Sequence, residues 1–278
     1  MITDLLVYLH EFKRFKMKKM YLGIALLLVA LTSCSTDGSN PTSSTTTYFP
    51  LTPTSDWVYD VKLDTQNAGR DSLYVNGETT INDKVYQKLK TKATPLGFYS
   101  TVLNNNNVRI DSDQVLLSGT SGLGLSDILP ISLELSDFVI FKQNATNNAE
   151  LSAISGTIEQ NLGGFPLVIE YKLTSVFKET LNTFTVPGRL TYQNVKVIKI
   201  NTNLKVSTIY LLPVLNTPIS IPILAPQNVV VSTHYYAEGV GMIYAKTDIN
   251  YQLSELPQGA GELPIPQQGS SSSEEFLD

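Results

Sequence analysis

Residues 57–64 read Trp57-Val58-Tyr59-Asp60-Val61-Lys62-Leu63-Asp64. Trp57, Tyr59, Val61 and Leu63 fall on one side of an extended chain, and Val58, Asp60, Lys62 and Asp64 on the other. A period of two that confines the charges to one side describes a strand with one buried face. The pattern recurs outward from there. Val85, Gln87 and Leu89 alternate with Tyr86, Lys88, Lys90 and Lys92, whose lysine side must be wet. Leu73-Tyr74-Val75 runs into Asn76-Gly77, a hairpin signal, and Asn104 to Asn107 marks a further turn. Residues 96–103 and 108–117 flank that turn as strands. Leu167, Ile169, Tyr171, Leu173 and Phe177 share a face, and 189–201, 229–237 and 240–247 read as further strands. The best helical stretch, 126–141, is interrupted by Pro130. Fourteen Tyr and ten Phe suit strands. The fold class expected is therefore all-β or mostly β. It is a single antiparallel curved sheet, a half-barrel or a sandwich, with at most one or two short helices.

Two apolar segments break the alternation, 123–131 and 210–224, and both carry prolines unsuited to central strands. They either cover an open end of the core or form the lip of an apolar cavity. In the second case Leu211, Leu212, Val214, Ile221 and Ile223 line its mouth. Trp57 reads as a core residue. Gly239 and Gly241 around Val240 suggest a bend that needs positive φ, and Pro187-Gly188 reads as a turn.

The flanks differ from this core. A basic cluster (Lys13, Arg14, Lys16, Lys18, Lys19) precedes an apolar run from Tyr21 to Thr32. That run is too short for a transmembrane helix, which needs ~20 apolar residues, and it has the layout of a secretory signal. Met17-Lys18-Lys19-Met20 forms a compact signal start by itself. The run ends in Leu31-Thr32-Ser33-Cys34, and Cys34 is the only cysteine of the 278 residues. This ending resembles the lipobox of bacterial lipoproteins. The resemblance implies cleavage before Cys34, acylation of that cysteine, and a membrane partner reached through lipid. Residues 1–33 are then signal, 34–47 a Ser/Thr-rich tether, and 48–256 the β domain. The last stretch, 257–278, is rich in Gly, Pro, Gln and Ser and is expected to be disordered. Ser35 after the cysteine favours outer-membrane sorting, with the periplasmic and surface faces left open.

The leader takes five basic and two acidic residues with it, leaving 15 basic and 23 acidic and a net charge near −8. That balance argues against nucleic acid as a partner. Without further cysteines there is no disulfide framework and no thiolate metal site. His234 stands alone on a strand, short of the three or four ligands of a zinc site, and no Gly-x-Ser-x-Gly elbow accompanies it. Asp111 and Asp113 read as solvated surface carboxylates. No cofactor is implied. Asp71-Ser72-Leu73 resembles the O-glycosylation triplet of Bacteroidota envelope proteins, making Ser72 a candidate acceptor.

Four pieces carry a broader resemblance: Tyr48-Phe49-Pro50-Leu51 with Trp57 and Tyr59; Val75-Asn76-Gly77 through Tyr86-Gln87-Lys88-Leu89; Thr185-Val186-Pro187-Gly188 with Asn194-Val195; and Tyr235-Tyr236-Ala237-Glu238-Gly239-Val240-Gly241-Met242. In this order they resemble a group of secreted and lipid-anchored proteins, many from Bacteroidota, some of which suggest a half-barrel like those of periplasmic lipoprotein carriers. The apolar insert at 209–226 departs from that group. The function expected is a lipid-anchored envelope protein with a non-catalytic β domain, its candidate partner a hydrophobic small molecule. The alternatives are a structural or partner-docking lipoprotein, whose partner is another envelope protein, and, third, a hydrolase.

Overall fold

The computed structural model describes residues 48–122, 131–211, 217–256 and 263–278. Its strands are β1 (Asp56–Leu63), β2 (Gln66–Ile81), β3 (Lys84–Thr91), β4 (Asn107–Asp111), β5 (Gln114–Ser121), β6 (Leu133–Lys142), β7 (Ala149–Leu162), β8 (Phe165–Thr185), β9 (Thr191–Leu211), β10 (Pro218–Ala237), β11 (Gly241–Gln252) and β12 (Gln268–Leu277). Among the described residues one short helix, α1 (Phe98–Leu103), lies between β3 and β4. All twelve strands form one antiparallel sheet in the order β6-β5-β4-β3-β2-β1-β12-β11-β10-β9-β8-β7, nearly closed into a barrel. The all-β expectation holds, and of the three architectures the rolled single sheet is the one adopted.

The 57–64 stretch behaves as its alternation requires. Trp57, Tyr59 and Val61 are buried, while Val58, Asp60 and Lys62 are half-buried on the outer side. A bulge opposite Val61 and Lys62 puts its extra residue, Ala68, on β2, and Leu63, at the end of β1, is 39% exposed. The inward rows of the other strands meet Tyr48, Phe49, Phe98, Tyr99 and Leu103 in one continuous core. A smaller cluster sits where the β8–β9 turn meets β10 to β12. There Phe184 stacks on Tyr235 at 4.1 Å, and Tyr244 packs on Phe276 at 5.1 Å.

The carboxyl-terminal expectation is overturned. Residues 268–277 are a strand in the middle of the sheet, paired to β1 on one side and β11 on the other, so the β domain runs to Asp278. The polar composition that suggested disorder is tolerated because both neighbours supply hydrogen bonds and only Glu275 and Phe276 have to be buried. Three local readings also change. Asn76-Gly77 is a bulge inside β2, with Gly77 at φ +84°, and the hairpin turn is Asn82-Asp83. Residues 98–103 are helix rather than strand, and of the helix sought at 126–141 the part from Leu133 belongs to β6, while 126–130 lie outside the described residues. The 108–117 strand is a hairpin, β4 to β5. On β3, Lys88 and Lys90 are exposed as expected, but Val85 is 57% exposed and Tyr86, on the lysines' side, is buried. The Tyr86 hydroxyl donates to Asp137 (2.5 Å), and Arg109 forks onto the same carboxylate with two contacts of 3.0 Å. Arg109 holds the Asp137 carboxyl far below the usual carboxylate range.

Because every neighbouring pair is antiparallel, the odd-to-even connections all lie at one end of the sheet, here called distal. The even-to-odd connections lie at the proximal end, where β1 begins and β12 finishes. The strand ends flanking both proline-bearing apolar segments are distal. Pro218 and Pro222 fall where β10 pairs with β9 but has no ladder with β11, which suits residues that cannot donate.

Candidate functional site

Two regions combine chemistry with a defined place in the fold. The first is a buried polar centre around the start of α1. The carboxylate of Asp71, on β2, accepts from the backbone N–H groups of Leu96 (2.9 Å) and Gly97 (2.8 Å). Glu275, on β12, accepts from the N–H of Tyr99 (2.7 Å), the N–H of Ser100 (2.9 Å) and the Ser100 hydroxyl (2.7 Å). Both carboxylates are about as buried as core leucines, at 2% and 1% exposure. Together they hold the N–H groups that a helix leaves unpaired at its start. Burial raises the Glu275 carboxyl to about 7 against the pull of these bonds, and neighbouring Asp71 adds to the rise. Gly97 is obligatory, since a Cβ there would lie 2.1 Å from the Glu275 carboxyl carbon.

His234, on β10, packs edge-on against Tyr99 with ring centroids 5.1 Å apart. Its Nε2 is 2.7 Å from the Ser232 hydroxyl, which is 2.6 Å from the Thr247 hydroxyl. Its Nδ1 has no hydrogen-bond partner, and burial lowers its pKa to about 3. A hydrolytic triad would need a carboxylate on Nδ1 and an accessible hydroxyl. Here the nitrogen is unpartnered and Ser232 is fully buried. The neutral ring therefore serves packing.

The second region is the apolar seam at the distal end. Leu167, Val206, Ile223, Leu224 and Tyr251 face Leu263 and Ile265, from the β11–β12 connection, across a cavity of about 20 Å³. Of the residues proposed from sequence, Ile223 lines this cavity and Ile221 is buried at 6% exposure. Leu211 closes β9, where it pairs with Pro218. Leu212 and Val214 lie outside the described residues, as does Cys34. Nearby on the hairpin, Ile209 and Ile219 are exposed at 50% and 36%.

The remaining candidates have structural settings. Ser72 is half-buried in the middle of β2, opposite Val58, and the aspartate of its triplet is the one committed to α1. Asp111 pairs with Arg109 (2.7 Å), and Asp113 accepts from the Asn144 backbone (3.2 Å). Among the described residues no three His, Cys, Asp or Glu side chains converge in a way that would hold a metal. Sequence reasoning missed Glu275, which lay in the stretch read as tail. The available signal was Glu275-Phe276-Leu277, an apolar pair next to a carboxylate in otherwise polar sequence. No family model, no curated protein and no solved structure matches the chain.

Proposed function

We propose that the mature chain is a lipid-anchored protein of the bacterial outer membrane whose β domain is a non-catalytic docking module, presenting its distal end to a partner in the envelope. The anchor reading rests on the ordered signal features that end at Cys34 and on the resemblance to the envelope lipoproteins described above. The docking reading rests on one observation. The cavity at the apolar end is about 20 Å³, more than ten times smaller than the ~300–1,000 Å³ of ligand pockets. Apolar side chains there face each other or solvent. A carrier of apolar small molecules is the second reading, favoured by the wholly apolar lining of that same cavity.

Metabolic labelling with a fatty-acid analogue tests the anchor. The wild-type chain takes up label, and Cys34→Ser abolishes it; label persisting in the variant overturns the anchor. Native mass spectrometry of the unlipidated Cys34→Ser chain separates the two readings of the domain. A single unadorned mass supports docking, whereas a hydrophobic adduct that shields Ile223 and Leu263 supports the carrier.

A further inference from the structure

Among the described residues no ladder joins the two end strands of the sheet, β6 and β7. The Ser175 hydroxyl, on the inward face of β8, donates to the Val139 carbonyl of β6 (2.5 Å). β6 therefore approaches β8 as well as β7, with no ladder between β6 and β7 among the described residues. Among the described residues β7 pairs only with β8, and it is the one strand of the twelve without a buried residue. Its inward row, Ile154, Ile158 and Leu162, packs against the core but stays half-buried.

Bare edges invite another strand, and proteins usually blunt them with proline, lysine, bulges or inward charges. β6 is blunted: its ladder with β5 is twice irregular, and Asp137 at φ +50° is tied to Arg109 and Lys84. β7 is not. From Ser152 to Leu162 its register with β8 is unbroken, and it contains no Pro, Lys or Arg. The Gly163-Gly164 turn, at φ +59° and +93°, makes Leu162 and Phe165 the inward-bonded closing pair. Counting back by alternation, Ala153, Ser155, Thr157, Glu159 and Asn161 point their main-chain N–H and C=O away from β8.

We propose that β7 is a strand-addition site for an extended segment of a partner protein. The segment runs antiparallel to β7, sets alternate apolar side chains beside Ile154, Ile158 and Leu162, and places a basic residue opposite Glu159. A second copy of this chain fits less well, because two β7 strands would bring four carboxylates (Glu150 and Glu159 from each) together with no cation on either strand. Main-chain bonds supply the affinity and the alternating side chains the choice of partner. This inference stands independently of the lipid anchor and of the distal end.

The test uses the full chain in detergent and an acetylated eleven-residue peptide alternating valine with threonine and lysine. Hydrogen exchange should show new protection at the Ser155, Thr157 and Glu159 amides when the peptide binds. Thr157→Pro, which removes a donor that the β8 ladder does not use, should weaken binding at least tenfold. Because that variant can disturb the strand, Glu159→Lys provides the second arm. It should invert the preference between the lysine peptide and its glutamate counterpart by about two- to fivefold each way, the size of a cross-strand charge pair. Protection elsewhere, or equal binding by wild type and both variants, overturns the site. Concentration-dependent protection of the same amides without peptide, with a doubled mass, overturns the partner in favour of a second copy.

Discussion

At the scale of single residues, two buried titratable groups act in opposition. Folded Glu275 titrates near 7 against an ordinary 4.5, so between those values the folded state holds a proton that the unfolded chain has lost, and stability falls as pH rises. Folded His234 titrates near 3 against 6.5, so across that range the unfolded state holds the extra proton, and stability falls as pH drops. Each slope is about 1.4 kcal/mol per pH unit. From 4.5 to 6.5 the two cancel. Urea midpoints of the wild-type chain should therefore be nearly flat there. Glu275→Gln should uncover a rise with pH from 4.5 to 6.5, and His234→Asn a fall from 4.5 to 7. Flat profiles in both variants would show that neither group is shifted. Asp60 and Asp137, held below their usual 3.8, act only under this window. Two glycines give a second contrast. Gly241 has φ +106° and a Cβ there would lie 3.2 Å from the Trp57 indole nitrogen, whereas Gly239, at φ +73°, faces open space. Gly241→Val should cost about 2–4 kcal/mol, and Gly239→Ala only the ~1 kcal/mol of left-handed strain. Equal melting temperatures for the two would mean that Trp57 yields freely.

At the scale of elements, the β8–β9 turn works as a clamp. Gly188 at φ +70° lets the chain reverse, as Pro187-Gly188 implied. Arg189 then reaches across the sheet, donating to Asp60 on β1 and to the Leu277 carbonyl on β12 (2.5 Å), with its guanidinium 5.5 Å from the Phe276 ring centre. Arg189→Leu should lower stability by about 1–3 kcal/mol in urea denaturation, and Arg189→Lys should recover little, since an ammonium cannot fork between two acceptors. An unchanged midpoint for Arg189→Leu would reduce the clamp to a surface contact. The same scale separates what was readable in the sequence from what was not. β1, β8 and the 240–247 part of β11 were legible because their own side chains alternate between core and solvent. α1 was not: Phe98-Tyr99-Ser100-Thr101-Val102-Leu103 has the composition of a strand. It is helical because Asp71 and Glu275, from β2 and β12, occupy its leading N–H groups. β12 was hidden for the matching reason, since a run of serines takes its order from two neighbours rather than from its own propensity. Of the candidate site, the apolar character of the distal end was legible. The cavity's other wall, Leu263 and Ile265, was not, because it lies in the stretch read as tail.

At the scale of the whole molecule, the sheet is joined through its ends. The first strand of the domain and the last are neighbours, with the Asp278 N–H donating to the Val58 carbonyl (2.9 Å). The ladder between β1 and β12 therefore forms only after almost the entire chain has been placed, and until then β1 and β11 expose unpaired edges. Pairings this distant in sequence slow folding. Deleting 268–278 should abolish cooperative unfolding altogether, because it removes Glu275 from α1 along with both ladders. The same geometry allows a positive test. Residue 48 and residue 278 both belong to the proximal end, and so does the Asn82-Asp83 turn, whose two residues are exposed and tolerate positive φ. A permuted chain starting at Asp83, with a flexible linker from Asp278 to Tyr48 and ending at Asn82, keeps every strand pairing, but it makes the β1–β12 ladder local and leaves the β2–β3 ladder to join the two ends of the chain. It should unfold in one cooperative transition and, because the hairpin it opens is the longer ladder, refold more slowly than the natural order in stopped-flow experiments. A permutant that refolds faster would show that joining β1 to β12, rather than pairing β2 with β3, limits folding of the natural chain.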